Sequence, residues 1–443
     1  MHVVIMVFGR SEIAVRMPSA VATAVTAGVL AVLGKRLAVW SGGRWPHVSG
    51  LLSGLLYAIA PTVTRYAQEA RSYATVACFA VIATYLLVRG LEDGRRRWWA
   101  GYAGAVALTG LFNLFGLLVV PAHAVTVLVA ARRASAGTPA PSAARSAMRS
   151  WVVAAISAAV LLVPVAIGAY LERGDTAWLA RPGRAALNRF AQSIAGSAGL
   201  LLPVGVLVII AAFAGLSAAR RHPLTPASVA VPWLILPPAA LLAVSQIRPV
   251  YNFRYVVFCL PAVALLAADG LGWLARLASW LISRPVPAVL AWLPSLAVIA
   301  FIGLSTLAPQ QALRNPWSRP DYLRKVSRIV DTYARPGDAV LYISLHSRIV
   351  SQGYPAPFHK LADIALAESP IVSATLNGTE VGPQVLRRRF TTVRRVWVIS
   401  DEGPRLPKSL GRLDAEKLAL VRGMRRLASW RTRSDLLLLY ARR

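Results

Sequence analysis

The chain has 443 residues, of which 56% are hydrophobic and only 15% charged, with a mean hydropathy of +0.54. A soluble globular chain carries about a quarter charged residues, so this apolar excess excludes an ordinary water-soluble enzyme and requires a bilayer. The net charge of +31 could suggest a nucleic-acid partner, but the basic residues sit in short loops between apolar runs and in the C-terminal tail, with no continuous basic face carrying interleaved aromatics.

A bilayer core takes roughly 20 helical residues to cross. Apolar runs predict membrane helices near 13–33, 46–64, 72–89, 98–112, 115–131, 150–170, 194–214, 228–247, 255–275 and 287–307. The stretch 98–131 is long for one crossing and short for two, and Asn113 with Gly116 in its middle predicts two short helices meeting at a break. Gly50 and Gly54 form a small-xxx-small spacing that lets two helices approach closely. Cys78 and Cys259 both fall inside apolar spans and support neither a disulfide framework nor a metal pattern. No cofactor is read from the sequence, and a divalent metal has no ligand pattern to support it.

Lys35, Arg36, Arg44, Arg89, Arg95, Arg96, Arg97, Arg132, Arg133, Arg145, Arg149, Arg220, Arg221, Arg276 and Arg284 recur in alternate loops. The positive-inside rule makes those loops cytoplasmic and puts both termini outside. The first residues, MHVVIMVFGRSE, have no signal-peptide pattern, so an external N-terminus leads us to expect a first helix ahead of Met1.

The tail from about 308 is a different material. A helix after Arg319-Pro320-Asp321-Tyr322 runs to about Tyr333 with Val326, Ile329 and Val330 on one face. Strands are predicted at 339–344, 396–400 and 436–440, with a basic helix at 381–390, which together predict a small α/β domain. Asn377-Gly378 reads as a turn, and no glycine-rich phosphate fingerprint follows any strand. The expected architecture is thus an α-helical polytopic membrane protein of about ten transmembrane helices (1–307) in the plasma membrane. A small extracytoplasmic α/β domain (308–443) follows.

Two external loops carry the candidate chemistry. APTVTRYAQEARSYA (60–74) brings Arg65, Tyr66, Glu69, Arg71 and Tyr73 to the membrane surface, with Arg65 and Glu69 an i,i+4 pair if helical. SQIRPVYNFRYVVF (245–258) brings Arg248, Tyr251, Arg254 and Tyr255 to the same side. Guanidinium forks and Tyr hydroxyls suit phosphate oxygens, and a lipid phosphate is the anion at hand. Interfacial anchoring by snorkelling Arg and belt Tyr is the competing reading. Among lesser candidates, Asp269 lies in a span near its cytoplasmic end, where capping or solvation competes with function. His123 reads as a hydrogen-bonded structural residue. The loop 171–190, with Glu172 and Asp175, is long enough to cover a site.

Four stretches in this order, FGRSEIAVRMPSA (8–20), TRYAQEARSYA (64–74), RPVYNFRYVVFCLP (248–261) and RPDYLRKVSRIVDTYARPGDAVLY (319–342), resemble the GT-C type membrane glycosyltransferases related to protein O-mannosyltransferases and aminoarabinose transferases. The resemblance implies inverting transfer of a sugar from a polyprenyl phosphate to an extracytoplasmic hydroxyl on a glycan, lipid or protein. It is nearest to members that use polyprenyl-phosphate mannose. It places Glu69, Arg71, Tyr73, Arg254 and Tyr255 around the donor phosphate, with Arg65, Tyr66 and Tyr251 adjacent. The family's catalytic acid stands in a loop ahead of the segment matching FGRSEIAVR, so the expected base precedes Met1. The alternative expectation is a non-catalytic protein that binds or moves a polyprenyl-phosphate lipid. An ion-coupled transporter would need paired intramembrane acids or inverted repeats, which are not seen in the sequence.

Overall fold

The computed structural model describes the chain apart from residues 1, 10, 138–140, 172–178, 219–221, 223, 282–291, 316–317, 319–322, 402, 404, 407–409 and 443. Glu172, Asp175, Arg220, Arg221, Arg284 and the Arg319–Tyr322 segment therefore lie outside the described residues. The chain divides into two units, Met1–Arg314 and Asn315–Arg443.

The first unit is helical throughout. A short helix His2–Phe8 (α1) precedes Glu12–Trp40 (α2), whose start is capped by the Ser11 hydroxyl accepting from the Ala14 N–H. Pro46–Ile59 (α3) and Pro61–Ala67 (α4) meet at a 64° bend. Pro61 causes the break, since its ring lacks the N–H that would continue α3. Tyr73–Asp93 (α5) and Arg96–Phe112 (α6) follow, then Val119–Gly137 (α7), Pro141–Leu171 (α8), Arg184–Ala195 (α9), Leu201–Ala218 (α10), Pro226–Ile247 (α11), Leu260–Leu281 (α12) and Leu293–Arg314 (α13).

All ten predicted stretches contain helix, and by length and composition one of them is marginal as a span. Eight helices among the described residues are long and apolar enough to span a bilayer, and the bent pair α3–α4 makes a ninth. The remaining stretch, α6, has 17 residues and opens on Arg96 and Arg97, which leaves its apolar part short. The break after α6 falls at Asn113 as predicted, where its side chain accepts from the Phe115 N–H and starts a 3₁₀ turn, Leu114–Leu118.

Gly50 and Gly54 do let helices approach. A Cβ on Gly50 would lie 2.5 Å from the Ala31 carbonyl oxygen, and one on Gly54 would lie 2.7 Å from that of Ala27, so the α2 backbone packs directly on α3. At the far end of α2, Glu92 of α5 accepts from both Arg36 and the Trp40 indole at 2.6 Å. His123 is buried and fully bonded: the Trp151 indole donates to the Tyr102 hydroxyl at 3.0 Å, Tyr102 meets His123 Nδ1 at 3.1 Å, and His123 Nε2 meets Thr84 at 3.0 Å. Thr84 in turn donates to the Ala80 carbonyl. Because Thr84 gives its single hydroxyl hydrogen to Ala80, His123 Nε2 must donate to Thr84, and the Nδ1 of the neutral ring accepts from Tyr102. The His proton then sits on Nε2, and a directed chain clasps α5, α6, α7 and α8.

The second unit begins at helix Leu323–Tyr333 (α14) and is built on a five-stranded sheet. Its strands are Asp338–Ile343 (β1), Leu361–Asp363 (β2), Arg395–Ser400 (β5), Arg425–Arg431 (β6) and Leu436–Ala441 (β7), in the order β2-β1-β5-β7-β6. Leu366–Glu368 (β3) and Thr379–Glu380 (β4) form a separate antiparallel pair. β1 runs parallel to β2 and β5, while β7 is antiparallel to β5 and β6. Central strands covered on both faces read as unbroken apolar runs, which is why β1, β5 and β7 were visible in the sequence. β6, RRLASWR, is a largely exposed edge strand rich in Arg, a pattern that hides a strand from periodicity while blocking edge pairing.

One face of the sheet packs Leu386 of helix Pro383–Phe390 (α17) and Val421 of helix Arg412–Val421 (α18); the other packs Val326 and Val330 of α14. The short helices Ile349–Gly353 (α15) and Pro355–Phe358 (α16) connect β1 to β2. Lys417 of α18 is wholly buried, and its ammonium is shared by both Glu380 carboxylate oxygens, Asp414 and the Tyr342 carbonyl at 2.8–3.0 Å. Arg348 is likewise buried and bound to Asp363 and Glu380.

Candidate functional site

The two external motifs of the sequence, about 180 residues apart, meet. α5 and the 253–281 span are the two most enclosed of the apolar helices, and both begin at the same place. α5 starts at Tyr73. The 253–281 span starts at a 3₁₀ turn, Phe253–Cys259, opened by Asn252, whose side chain accepts from the Arg254 N–H. The Tyr73 and Tyr255 rings lie 6.5 Å apart, Tyr66 and Tyr73 meet edge-to-face at 5.5 Å, and Tyr66 lies 6.4 Å from Phe253. The Arg254 guanidinium stands over the Tyr255 ring, 5.4 Å from its centre.

The 64–74 segment is fixed from the third motif. Ser19 of α2, within FGRSEIAVRMPSA, donates to the Glu69 carbonyl at 2.7 Å and lies 3.1 Å from that of Arg71. Here the backbone leaves the α4 helix and restarts as α5, and its carbonyls need partners that the helix no longer supplies.

The individual residues divide clearly. Tyr66, Tyr73, Arg254 and Tyr255 form one cluster, in which the charges of Glu69, Arg65 and Arg254 all act on Tyr66, and those of Arg254 and Arg71 act on Tyr73. Arg71 itself is exposed. Glu69 faces Arg65 across 3.7 Å, the expected i,i+4 pair, with Arg65 half exposed. Tyr251 stands apart from the ring cluster. Its hydroxyl is buried without a hydrogen bond, and burial pushes it up to about 12 against the opposing charge of Arg189 on α9. Arg248 is exposed.

Three aromatic members were invisible to the sequence. Phe115, on the 3₁₀ turn after α6, stacks on Tyr255 at 4.8 Å, and Phe190 of α9 meets Phe253 at 6.1 Å. Phe253 itself lies inside the second motif but reads as ordinary apolar sequence. Only the pairing of 3₁₀ turns by Asn113 and Asn252 could have hinted at Phe115.

At 1.5 Å per residue, the 21-residue α5 separates Tyr73 from the Glu92 charge cluster by about 30 Å, one hydrocarbon thickness. The site therefore lies at one membrane boundary and the Arg36–Glu92–Arg89 cluster at the other. On α4, the helix that carries Arg65 and Tyr66, Pro61 and Val63 line an apolar groove together with Ala195, Leu200, Val263 and Ile302. Among the described residues, no three His, Cys, Asp or Glu side chains stand close enough to hold a metal ion.

A cluster of Arg, Tyr and one carboxylate on helices that also line an apolar groove invites comparison with known proteins. Residues 1–167 match the family model for dolichyl-phosphate-mannose-protein mannosyltransferase. The structure is similar to that of ArnT from Cupriavidus metallidurans in the apo state, with 14% identity and a TM-score of 0.62, covering 99% of this chain and 85% of that one. It is also similar to ArnT from the same organism bound to undecaprenyl phosphate, with 16% identity and a TM-score of 0.60, covering 99% and 86%. The chain has the GT-C membrane glycosyltransferase fold. No protein of curated function matches the sequence. The matched residues of this GT-C chain contain the Ser19 and 64–74 parts of the site; the 248–261 part lies beyond them and joins through the ring contacts described above.

Proposed function

We propose that this protein is a membrane glycosyltransferase that moves a sugar, mannose by preference, from a polyprenyl-phosphate donor to an acceptor hydroxyl outside the cytoplasm. The observation that carries the reading is the convergence of Tyr66, Arg71 and Tyr73 with Arg254 and Tyr255 at one membrane boundary, together with the apolar groove along α4. The guanidinium of Arg254 and the neighbouring Tyr hydroxyls suit the donor phosphate. The groove along α4 is apolar enough for an isoprenoid chain and lies on the helix that carries Arg65 and Tyr66. ArnT, which shares the fold, has been seen bound to undecaprenyl phosphate, and the family model that matches is named for a dolichyl-phosphate-mannose donor.

In this reading the acceptor oxygen attacks the anomeric carbon, the bond from that carbon to the lipid phosphate breaks, and the departing phosphate anion is stabilised by cations already in place. The acceptor proton must pass to a carboxylate. In this reading the reaction and the C-terminal unit are outside the cytoplasm, which the charge of the alternate loops supports.

Glu69 favours a second reading. It is the carboxylate of the cluster, and it is already engaged by Arg65 across 3.7 Å. A protein that binds or moves the lipid without turning it over would keep every Arg and Tyr contact and need no base. Purified full-length protein in nanodiscs, given radiolabelled polyprenyl-phosphate mannose and a hydroxyl-bearing acceptor mixture, separates the two. Transfer of label supports the transferase; saturable binding with no loss of label supports the carrier; absence of binding overturns both.

A further inference from the structure

The C-terminal unit holds a second polar site that owes nothing to the membrane cluster. The chain leaves β1 toward β2 on one side of the sheet, and leaves β5 toward β6 and β7 on the other. The connections after β1 and β5 thus depart in opposite directions, which makes the carboxyl ends of these two adjacent parallel strands the position where open α/β sheets form a ligand crevice.

Both connections place chemistry there. After β1, Ser344 adopts φ +68°, a left-handed conformation that costs a non-glycine residue free energy, and the chain turns at once into a 3₁₀ segment bearing His346 and Ser347. After β5 comes Asp401. Its carboxylate accepts from Ser347 Oγ at 2.6 Å and meets His346 Nδ1 at 2.5 Å, while its own N–H donates to Ser347 Oγ at 3.1 Å. Asp401 is mostly enclosed at 16% exposure, whereas the His346 side chain is 66% exposed. A carboxylate on Nδ1 keeps the proton there and turns the Nε2 lone pair outward, so the imidazole is oriented and presents an acceptor to the crevice. The residue before Asp401, Ser400, ends β5 with a buried hydroxyl that has no hydrogen bond, an unmet demand a native interior rarely keeps.

A surface clasp between the two loops would need only Ser347 and Asp401; it would not need an oriented imidazole held open to water beside a strained residue. We propose that this crevice is a binding site for a neutral, hydroxyl-rich ligand, a carbohydrate, with His346 Nε2 accepting from a ligand hydroxyl and Asp401 as the positioning residue. The carboxylate beside the imidazole opposes an anion, which distinguishes this site from the Arg-Tyr cluster.

The test uses the full chain in detergent, titrated calorimetrically with methyl mannopyranoside, methyl galactopyranoside, methyl arabinofuranoside and inorganic phosphate. At least one glycoside is expected to bind saturably, and His346→Ala to raise its Kd at least tenfold with the melting temperature of the full chain unchanged. Asp401→Asn, which no longer fixes the imidazole proton on Nδ1, is expected to weaken binding in the same direction. Arg254→Ala is expected to leave glycoside binding as it was, which separates this site from the donor site. Binding equally strong in His346→Ala, no binding by any glycoside, or capture of phosphate alone would each overturn the proposal.

Discussion

Phe115 and Tyr255 stack with ring centroids 4.8 Å apart, and each stands in a 3₁₀ turn opened by an asparagine. Asn113 accepts from the Phe115 N–H at 3.0 Å and Asn252 from the Arg254 N–H at 3.3 Å. The same short device, an extended Asn whose side chain caps a tight turn leading into a membrane helix, is thus used twice, and the two copies face each other. Their stack holds the backbone that carries Arg254 at a fixed depth.

That stack should be measurable. Aromatic pairs contribute about 0.5–1.5 kcal/mol beyond the area they bury. Phe115→Ala is expected to lower the melting temperature of the membrane unit and to weaken the stabilisation given by added polyprenyl phosphate, whereas Phe115→Tyr keeps both. Unchanged melting with and without the lipid phosphate would mean that the stack does not support the Arg254 turn.

Arg254 itself bears the proposed charge on the donor phosphate. Removing one preorganised stabilising group typically costs about 10²–10³ in turnover. Arg254→Ala should show a loss of that order, and Arg254→Lys an intermediate one, because an ammonium keeps the charge but loses the planar fork. Expression and membrane insertion should be unaffected. Turnover within twofold of the parent would assign Arg254 to interfacial anchoring.

The α2–α3 contact offers a matched pair of glycines. Gly54 has the Ala27 carbonyl where a Cβ would go, while Gly104 of α6 has open space. Gly54→Val must push two helices apart, an overpacking cost of about 1–3 kcal/mol or more. It should reduce the monodisperse fraction on gel filtration; Gly104→Ala should not.

In the C-terminal unit, Lys417 is held by Glu380, Asp414 and the Tyr342 carbonyl with no contact to water. Removing one partner of a buried pair leaves uncompensated charge and costs about 3–5 kcal/mol. Lys417→Met should lower the denaturant midpoint of the C-terminal unit, read by hydrogen exchange of the β1 and β5 amides. Adding Asp414→Asn should recover part of the loss, since it removes one of the stranded carboxylates. Equal stability of Lys417→Met and the parent would show that the network contributes nothing net.

The sequence by itself determined the bilayer, the helices and the central strands, because each depends on local composition. An apolar run of span length has one solvent that suits it, and β1, β5 and β7 are apolar without interruption because both their faces are covered. Asn113 marked a real break for an equally local reason, whereas the 64° bend at Pro61 falls inside the stretch 46–64 that reads as one helix. Local composition leaves Arg96–Phe112 marginal as a span, although this helix leads from the Glu92 end of α5 to the turn that carries Phe115 beside Tyr255. Tertiary structure alone decided what the motifs do together. Tyr66 and Tyr73 gained partners in Phe253 and Tyr255 only when α5 and α12 became neighbours, and Tyr251, beside them in sequence, turned to Arg189 instead. Likewise His346 and Asp401 are two unremarkable polar residues 55 positions apart until two parallel strands end side by side. Periodicity and hydropathy report the environment of a residue along its own element; which other element supplies that environment is a property of packing, and the chemistry of this protein lies in those pairings.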